Sequence, residues 1–465
     1  MQYYLDSSKK FFEKNFNERL KFIRDKNFLF SEISKFINNC INNSKEIFIF
    51  CAGNSIIAND IQSEKINIKE INEKLYQHSE DKIIYKKTFA KEDIENCDHV
   101  VIADIEHQNN PAFNLLQLSN FMKDEARIIV LSKNFFWMFI LNFIKTISNF
   151  SPTRNNFLPS SYLINLYSSC NLEIVRSEKI IALPIYIPIV TNFINKIFRL
   201  PVLNWFCVLN VTILKKINNS EREENQKISF IVPCKNEERN IPLFKDHIKS
   251  LSGKYEFLFG DDISTDQTLV EINKIKSELK NIEISTYTGP GICKSENVYK
   301  GIEVSKGDIL VIYDADLTVS FDDIEFAIKI LVNSNADFIN CTRMIYPQKD
   351  GAMKRLNFLG NSFFAILFSL LFRKKVTDTL CGTKIFYKRD WIKIKQDISN
   401  WGTKDLWGDY DLLIGAYKNN LKILEVPVTY YERTNGETKM TNVFKNALRM
   451  FYITIYAFYK LRLEK

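Results

Sequence analysis

The stretch ILVIYDADL, Ile309 to Leu317, sets an apolar run directly against Asp314, Ala315 and Asp316. A short apolar run that stops at polar residues reads as a strand buried on both faces, with its carboxyl end exposed to whatever lies beyond. Carboxylates one residue apart on an extended chain point to the same side. Hard oxygen donors so placed hold a divalent cation and leave coordination positions for a substrate's phosphates. A lone Asp-x-Asp is equally the signature of a solvated turn, so its surroundings decide the reading.

Two upstream stretches end in the same way. KISFIVPCKNEERNIP is an apolar strand from Ile228 to Val232 that stops at Pro233 and opens into the Asn236-Glu237 turn. YEFLFGDDISTDQT follows after a helical interval and ends in Asp261 and Asp262. Ligands of parallel α/β sheets bind beyond the carboxyl ends of the strands. Glu237, Asp262, Asp314 and Asp316 are therefore expected at one edge of one sheet.

These segments resemble glycosyltransferase family 2, inverting enzymes of the GT-A fold, and within it the polyprenyl- and dolichol-phosphate mannose synthases. VPCKNEERNI resembles the opening strand and turn, and GDDISTDQT the DDGSxDxT segment. GICKSENVYKGIEVSKGDILVIYDADL resembles the run to the metal site, and DTLCGTKIFYKRD the D-x-x-x-G-x-R/K element. WGDYDLLIGAYKNNLKILEVPVTYYERTNGETKM resembles the closing segment, so the likeness covers nearly all of residues 228–442. It implies that Pro233, Glu237 and Asp262 line a nucleotide pocket, with Asp266 supporting the turn. Lys294 would lie near the diphosphate, Asp314 near the ribose or the metal, and Asp316 on the metal, which would be Mg²⁺ or Mn²⁺. Some members carry a further glutamine ligand where this chain has Thr318.

On the acceptor side, Arg343, Lys384, Arg433 and Lys439 fall where relatives keep cations that would bind a phosphate. A polyprenyl phosphate needs no general base, whereas a sugar hydroxyl does, and Asp409 is then the candidate. The plainer alternatives are solvated charges for the cations and helix capping for Asp409 and Asp411.

Between these elements KRLNFLGNSFFAILFSLLFRKK, residues 354–375, is too short to span a bilayer comfortably and is flanked by basic residues. Asn357, Asn361, Ala365 and Ser369 recur every fourth position. That stripe predicts an interfacial helix with its Phe and Leu residues turned into lipid; the alternative is burial against the rest of the protein. The terminal segment 444–465 is similarly aromatic, with Lys445, Arg449, Lys460 and Arg462 available for headgroups or for packing.

The first half alternates strands and helices: EIFIFCAGNS from Glu46, DHVVIADIEHQ from Asp98, and ARIIVLSKN from Ala126. That alternation predicts a parallel, doubly wound sheet. With LPSSYLINLYSSCNLEIVRSEKIIALPIYIPIV as final helix and closing hairpin, the order of parts resembles the class I S-adenosylmethionine-dependent methyltransferases. The resemblance implies S-adenosylmethionine as cofactor, with Gly53 in the first turn and an acid holding the ribose. Asp60, Glu64 and Glu70 all remain open for that acid. Gly53 stands where the family has three glycines, so both a working and a degenerate methyltransferase remain open. Pro184, Pro188 and Pro201 break the apolar run from Ile181 to Leu214 into a hairpin and a surface helix, packed on the next domain or touching lipid.

Across its 465 residues the chain is 46% hydrophobic with a formal charge of +8, interspersed rather than blocked, which gives nucleic-acid binding little support. Nine scattered cysteines without Cys-x-x-Cys spacing read as reduced thiols. MQYYLDSSKKFFEKNF lacks a signal-peptide core. The expectation is an α/β protein with two doubly wound domains, cytoplasmic and peripheral on the inner face of the cell membrane. The domains are a Rossmann-like, methyltransferase-type unit over 1–219 and, after a linker at 220–227, a GT-A unit over 228–443 with a C-terminal amphipathic helix over 444–465. The expected reaction moves a hexose from a UDP- or GDP-sugar to a polyprenyl phosphate or a cell-envelope glycan. A non-catalytic membrane scaffold, or a bifunctional protein whose first half methylates the glycan, are the alternatives.

Overall fold

A computed structural model describes residues 27–463 apart from 42–43, 52–54, 71–81, 87–88, 109, 135–136, 138–157, 201–202, 218–225, 249–250, 252–253, 347–352, 354, 401–402, 404 and 436–442. Gly53, Lys439 and most of the 220–227 segment lie outside the described residues. The chain divides into two compact units, Met1–Asn219 with Lys460–Lys465, and Ser220–Tyr459.

In the first unit, α1 (Asn27–Ile41) leads into β1 (Glu46–Cys51), β2 (Lys65–Glu70), β3 (Ile83–Lys86), β4 (His99–Ile102), α2 (Pro111–Phe121), β5 (Arg127–Lys133), α3 (Ser160–Ser169), β6 (Leu172–Ile180), α4 (Val190–Ile197) and β7 (Leu209–Lys216). The sheet order is β3-β2-β1-β4-β5-β7-β6. The first five strands are parallel and β7 is antiparallel to both its neighbours. Alternation along β1 shows why the sheet is covered on both faces. Ile47, Ile49 and Cys51 join one core with residues of α1, while Phe48 and Phe50 join another with residues of α2 and α3.

His99 is buried and its Nδ1 lies 2.6 Å from Ser44 Oγ, a structural pairing. Of the three candidate ribose acids only Glu70 ends a strand, in register with Cys51 at the end of β1, and it is fully buried. Asp60 closes a 3-10 turn and Glu64 precedes β2. In the last residues, Arg462 is buried and donates to Glu178 Oε2 at 2.6 Å. Of the two roles open to it, headgroup cation or packing, Arg462 takes the packing one, because a guanidinium engaged with a carboxylate inside the unit does not reach lipid.

The second unit runs β8 (Ile228–Cys234), α5 (Phe244–Ile248), β9 (Tyr255–Asp261), α6 (Thr268–Glu278), β10 (Glu283–Thr288), α7 (Lys294–Val304), β11 (Ile309–Ile312), α8 (Phe321–Asn333), β12 (Phe338–Thr342), α9 (Arg355–Phe372), β13 (Lys384–Tyr387), α10 (Lys388–Asn400), α11 (Asp409–Lys418), β14 (Ile423–Pro427) and α12 (Val443–Phe458). Its sheet is mixed, in the order β10-β9-β8-β11-β13-β12-β14. Strands β10, β9, β8 and β11 are parallel, and β13 is antiparallel to β11 and β12. Phe230 anchors the core, stacked on Phe257 at 4.6 Å and on Phe321 at 5.5 Å. Ile312, last in β11, pairs with Lys384, first in β13. The antiparallel turn therefore delivers residues 378–384 to the edge where β11 releases Asp314 and Asp316.

Helix α9 forms where the stripe places it, and the stripe faces inward. Asn361 and Ala365 are buried with Phe364, Phe368 and Leu371, whereas Leu356, Leu359, Phe363, Ile366 and Leu370 are exposed. The small and polar residues face the protein because Asn361 has partners there. Its Nδ2 donates to Asp378 Oδ1 at 2.8 Å and its Oδ1 accepts from Thr379 N at 3.2 Å. Among the described residues α9 is the one helix long and apolar enough, by length and composition, to cross a membrane. It packs beside α12, with Phe363 and Phe451 rings 6.3 Å apart.

Candidate active site

The carboxyl edge of β8, β9 and β11 carries the acids. Asp262 follows β9 and is buried; its Oδ1 accepts from Gly291 N at 2.7 Å and its Oδ2 lies 3.4 Å from Lys235 Nζ. Pro233 sits within β8 opposite Gly260. Glu237 lies in the turn after β8, its amide donating to Thr268 Oγ1 at 2.8 Å and its Oε2 accepting from Asn240 Nδ2 at 2.6 Å. Asp266 holds that turn, accepting from Thr268 N at 3.0 Å and from Glu238 N at 3.2 Å. Hydrogen bonds from these donors outweigh its partial burial and hold its carboxyl below the usual range.

Beyond β11 the two aspartates are each met by a cation. Asp314 Oδ1 lies 2.5 Å from Lys294 Nζ at the start of α7. Asp316 Oδ2 lies 2.8 Å from Arg433, in the chain after β14, while its Oδ1 accepts from Thr318 Oγ1 at 2.9 Å. Thr318 thus pins the carboxylate. Burial raises the Asp314 carboxyl, yet the Lys294 ammonium outweighs it and keeps the group below its ordinary value. Asp316 moves the other way, pushed up by burial and then by the neighbouring Asp314 charge. Burial alone would weaken Lys294, but Asp314 and Asp409 raise its pKa, so it stays an ammonium.

Asp378 opens the turn before β13 and holds Arg343 from three sides: Nε at 2.8 Å, Nη2 at 3.0 Å and the Arg343 amide at 3.0 Å. The bidentate guanidinium outweighs burial and holds the Asp378 carboxyl far below its ordinary value. Arg343 also lies 5.0 Å from the Tyr430 ring centre. Lys384 is fully buried, donates to Cys381 O and lies 3.9 Å from Asp409 Oδ1. Its expected part as an exposed acceptor cation is corrected here: it is an internal countercharge to Asp409. Gly382 sits between, where a Cβ would meet Asp314 Oδ2 at 2.3 Å and Lys294 Nζ at 2.8 Å.

Asp409 begins α11 behind Gly408, whose φ of 87° is the left-handed conformation glycine accepts most readily. Burial pushes the Asp409 carboxyl up, and Lys384 and Lys294 partly offset it. The turn that presents Asp409 is held by Asp405, which accepts from Trp407 N at 3.0 Å and Tyr410 N at 2.8 Å. Burial, then the Asp409 charge, raises Asp405 to about 6. Burial, then Asp405, raises Asp411 to about 7, and Tyr299 donates to it at 3.0 Å.

The structure therefore brings Lys294, Asp314, Asp316, Gly382, Lys384, Asp409 and Arg433 together and sets Asp378 and Arg343 beside them as a second, internally satisfied pair. Asp378 and Gly382 were legible as members of the D-x-x-x-G-x-K string; Asn361 was visible only as part of the every-fourth-position stripe, and Asp405 had no signal of its own. Among the described residues no group of three His, Cys, Asp or Glu side chains could cage a metal. What is present is a carboxylate pair whose charges already draw two cations. That donor set fits a magnesium-like ion held by one or two carboxylates plus substrate phosphates.

Residues 229–394 match the family described as Glycosyl transferase family 2. A dolichyl-phosphate β-glucosyltransferase of Trichomonas vaginalis is 25% identical over 246 residues, 49% of this chain and 71% of its own length. The human dolichyl-phosphate β-glucosyltransferase is 26% identical over 223 residues, covering 44% of this chain and 68% of its own. Glucosyl-3-phosphoglycerate synthase from Mycobacterium tuberculosis overlays 51% of this chain and 80% of its own at 15% identity and a TM-score of 0.37. With the family match falling on the unit that holds the acidic edge, the second half of the chain carries a family 2 glycosyltransferase domain and the protein is a glycosyltransferase.

Proposed function

We propose that the second unit transfers a hexose, with inversion, from a nucleoside diphosphate sugar to a polyprenyl phosphate at a membrane surface. The observation that carries this is the meeting of Lys294, Asp314, Asp316 and Arg433 at the carboxyl edge of the sheet. Relatives named for dolichyl-phosphate glucosyl transfer support the acceptor class.

In this reading Asp262, Glu237 and Pro233 receive the base and ribose end of the donor. Asp314 and Asp316 would hold Mg²⁺ or Mn²⁺, which supplies charge to stabilise the departing diphosphate. With Asp314 on the metal, Lys294 would exchange that carboxylate for the diphosphate. Arg433 turns to the acceptor phosphate, with Arg343 held ready by Asp378. An acceptor phosphate oxygen attacks the anomeric carbon as the bond to the nucleoside diphosphate breaks. The oxygen is already anionic, so Asp409 is required as a base only if the acceptor is a glycan hydroxyl. The exposed Leu and Phe face of α9, beside α12, supports a seat on the inner face of a membrane.

The test is calorimetric titration with UDP and GDP, with and without Mn²⁺, on the wild type and Asp316→Ala. Binding that needs Mn²⁺ in the wild type and vanishes in the folded variant is expected. Equal binding by both proteins, or none to either nucleotide, would overturn the proposal and favour a scaffold.

For the first unit, the parallel 3-2-1-4-5 order and the buried Glu70 at the end of β2 favour a nucleoside-binding architecture of the methyltransferase kind. Saturable S-adenosylmethionine binding, lost in Glu70→Ala, is its test.

A further inference from the structure

In the first unit, residues 185–190 read IYIPIV, and all six are exposed. Their inward side is taken by polar groups of α4. Buried Thr191 accepts from Ile187 N at 2.8 Å and donates to Ile185 O at 2.7 Å. Buried Asn195 accepts from Ala182 N at 2.9 Å and Leu183 N at 2.8 Å and donates to Leu183 O at 3.2 Å. Two polar side chains of the helix thus fasten the loop from inside, while Val190 and Phe193 face out beside Asn192 and Lys196. Ile189 holds φ at 66°, a conformation rare for a β-branched residue, and is 85% exposed. Phe193 is 64% and Trp205 69% exposed, and Lys179 Nζ lies 4.6 Å over the Trp205 ring.

We propose that this face of the first unit inserts into the interfacial layer of an anionic lipid bilayer. Three observations select lipid as occupant. The loop amides of Ala182, Leu183 and Ile187 are satisfied internally, as hydrocarbon requires of backbone that enters it. Exposed Tyr186 and Trp205 are the side chains that sit at headgroup level. The sequence holds no acid between Glu178 and Glu221, while Lys179 and exposed Lys196 supply positive charge for anionic headgroups. This contact does not rest on the chemistry of the second unit.

The full chain is sedimented with phosphatidylcholine vesicles with and without phosphatidylglycerol, comparing wild type, Ile189→Asp/Phe193→Asp, and Leu359→Asp/Ile366→Asp on α9. The first variant is expected to lose at least tenfold in partition to the anionic vesicles. Loss only in the α9 variant would overturn this proposal while leaving the membrane seat of the second unit standing. Loss only in the Ile189/Phe193 variant does the reverse. If that variant fails to fold, brominated lipid decides: fluorescence quenching in the wild type should be reduced in Trp205→Phe, and equal quenching in both refutes insertion. Vesicle partition unchanged within twofold, with self-association lost in the ultracentrifuge, would assign the face to a second copy of the chain and also refute it.

Discussion

Gly382→Ala tests how tightly the edge of the sheet is built. A Cβ there would lie 2.3 Å from Asp314 Oδ2, 2.8 Å from Lys294 Nζ and 2.9 Å from Asp314 Cγ. Ordinary contact begins near 3.4 Å, so the carboxylate must retreat by about 1 Å or β13 must part from β11. Lys294 can swing on its flexible stem. Asp314 is short, lies two residues past the end of β11 and is bound to Lys294 at 2.5 Å, so it carries most of the displacement. Overpacking of this kind costs about 1–3 kcal/mol of stability. A reacting group misplaced by about 1 Å loses on the order of 100-fold in rate. The assay is nucleoside diphosphate release from the nucleotide sugar, alongside the melting temperature. Gly360→Ala is the matched control, because its Cβ would meet nothing within 4 Å and it lies inside α9. That change should be neutral or stabilising by about 0.5–1 kcal/mol. A Gly382→Ala enzyme with kcat/KM within threefold of wild type and an unchanged melting temperature would refute the placement of Asp314 against this turn.

Asp378→Asn removes the charge that holds Arg343 and should destabilise the fold by roughly 3–5 kcal/mol, measured by urea unfolding. Asn361→Leu leaves one Asp378 oxygen short of a donor and should raise KM for the acceptor more than it lowers kcat, read from initial rates at saturating donor. Asp405 and Asp411 bind protons more tightly folded than unfolded, since burial, then the Asp409 charge on Asp405 and the Asp405 charge on Asp411, raise them to about 6 and about 7. Stability should therefore fall as pH rises from about 4, the unfolded carboxyl value, through about 7. Asp411→Asn should flatten that fall and raise the melting temperature at pH 8, by up to roughly 4 kcal/mol of stability; an unchanged pH profile would refute the buried pairing. Phe230→Ala should cost about 3–5 kcal/mol, since it removes the ring stacked between Phe257 and Phe321.

The strands and their acidic ends were legible because buried parallel strands are short apolar runs, and a run that stops at Asp314 or Asp262 announces its own edge. Antiparallel pairing was not legible. Nothing local to TLCGTK says that β13 runs against β11, although that pairing is what sets Gly382 beside Asp314. The stripe on α9 gave the helix and its outward Leu and Phe residues but not what the stripe itself meets, since periodicity fixes which residues share a face and not the partner of that face. Asn361 found a partner 17 residues on and turned inward. Lys384 was read by its charge type, but its burial beside Asp409 depends on contacts that only folding supplies. In the first half, Glu70 could not be told from Asp60 and Glu64 until strand ends were known, because all three lie within a few residues of β2.

Asp378 is shared property: its Oδ1 accepts from both Asn361 of α9 and the Arg343 guanidinium, while its Oδ2 answers to Arg343 alone. A roll of that helix about its own axis would move the guanidinium without any hinge between them. The lever arm is a single carboxylate, and whatever the outer face of α9 rests on sets the aim of a cation at the far end.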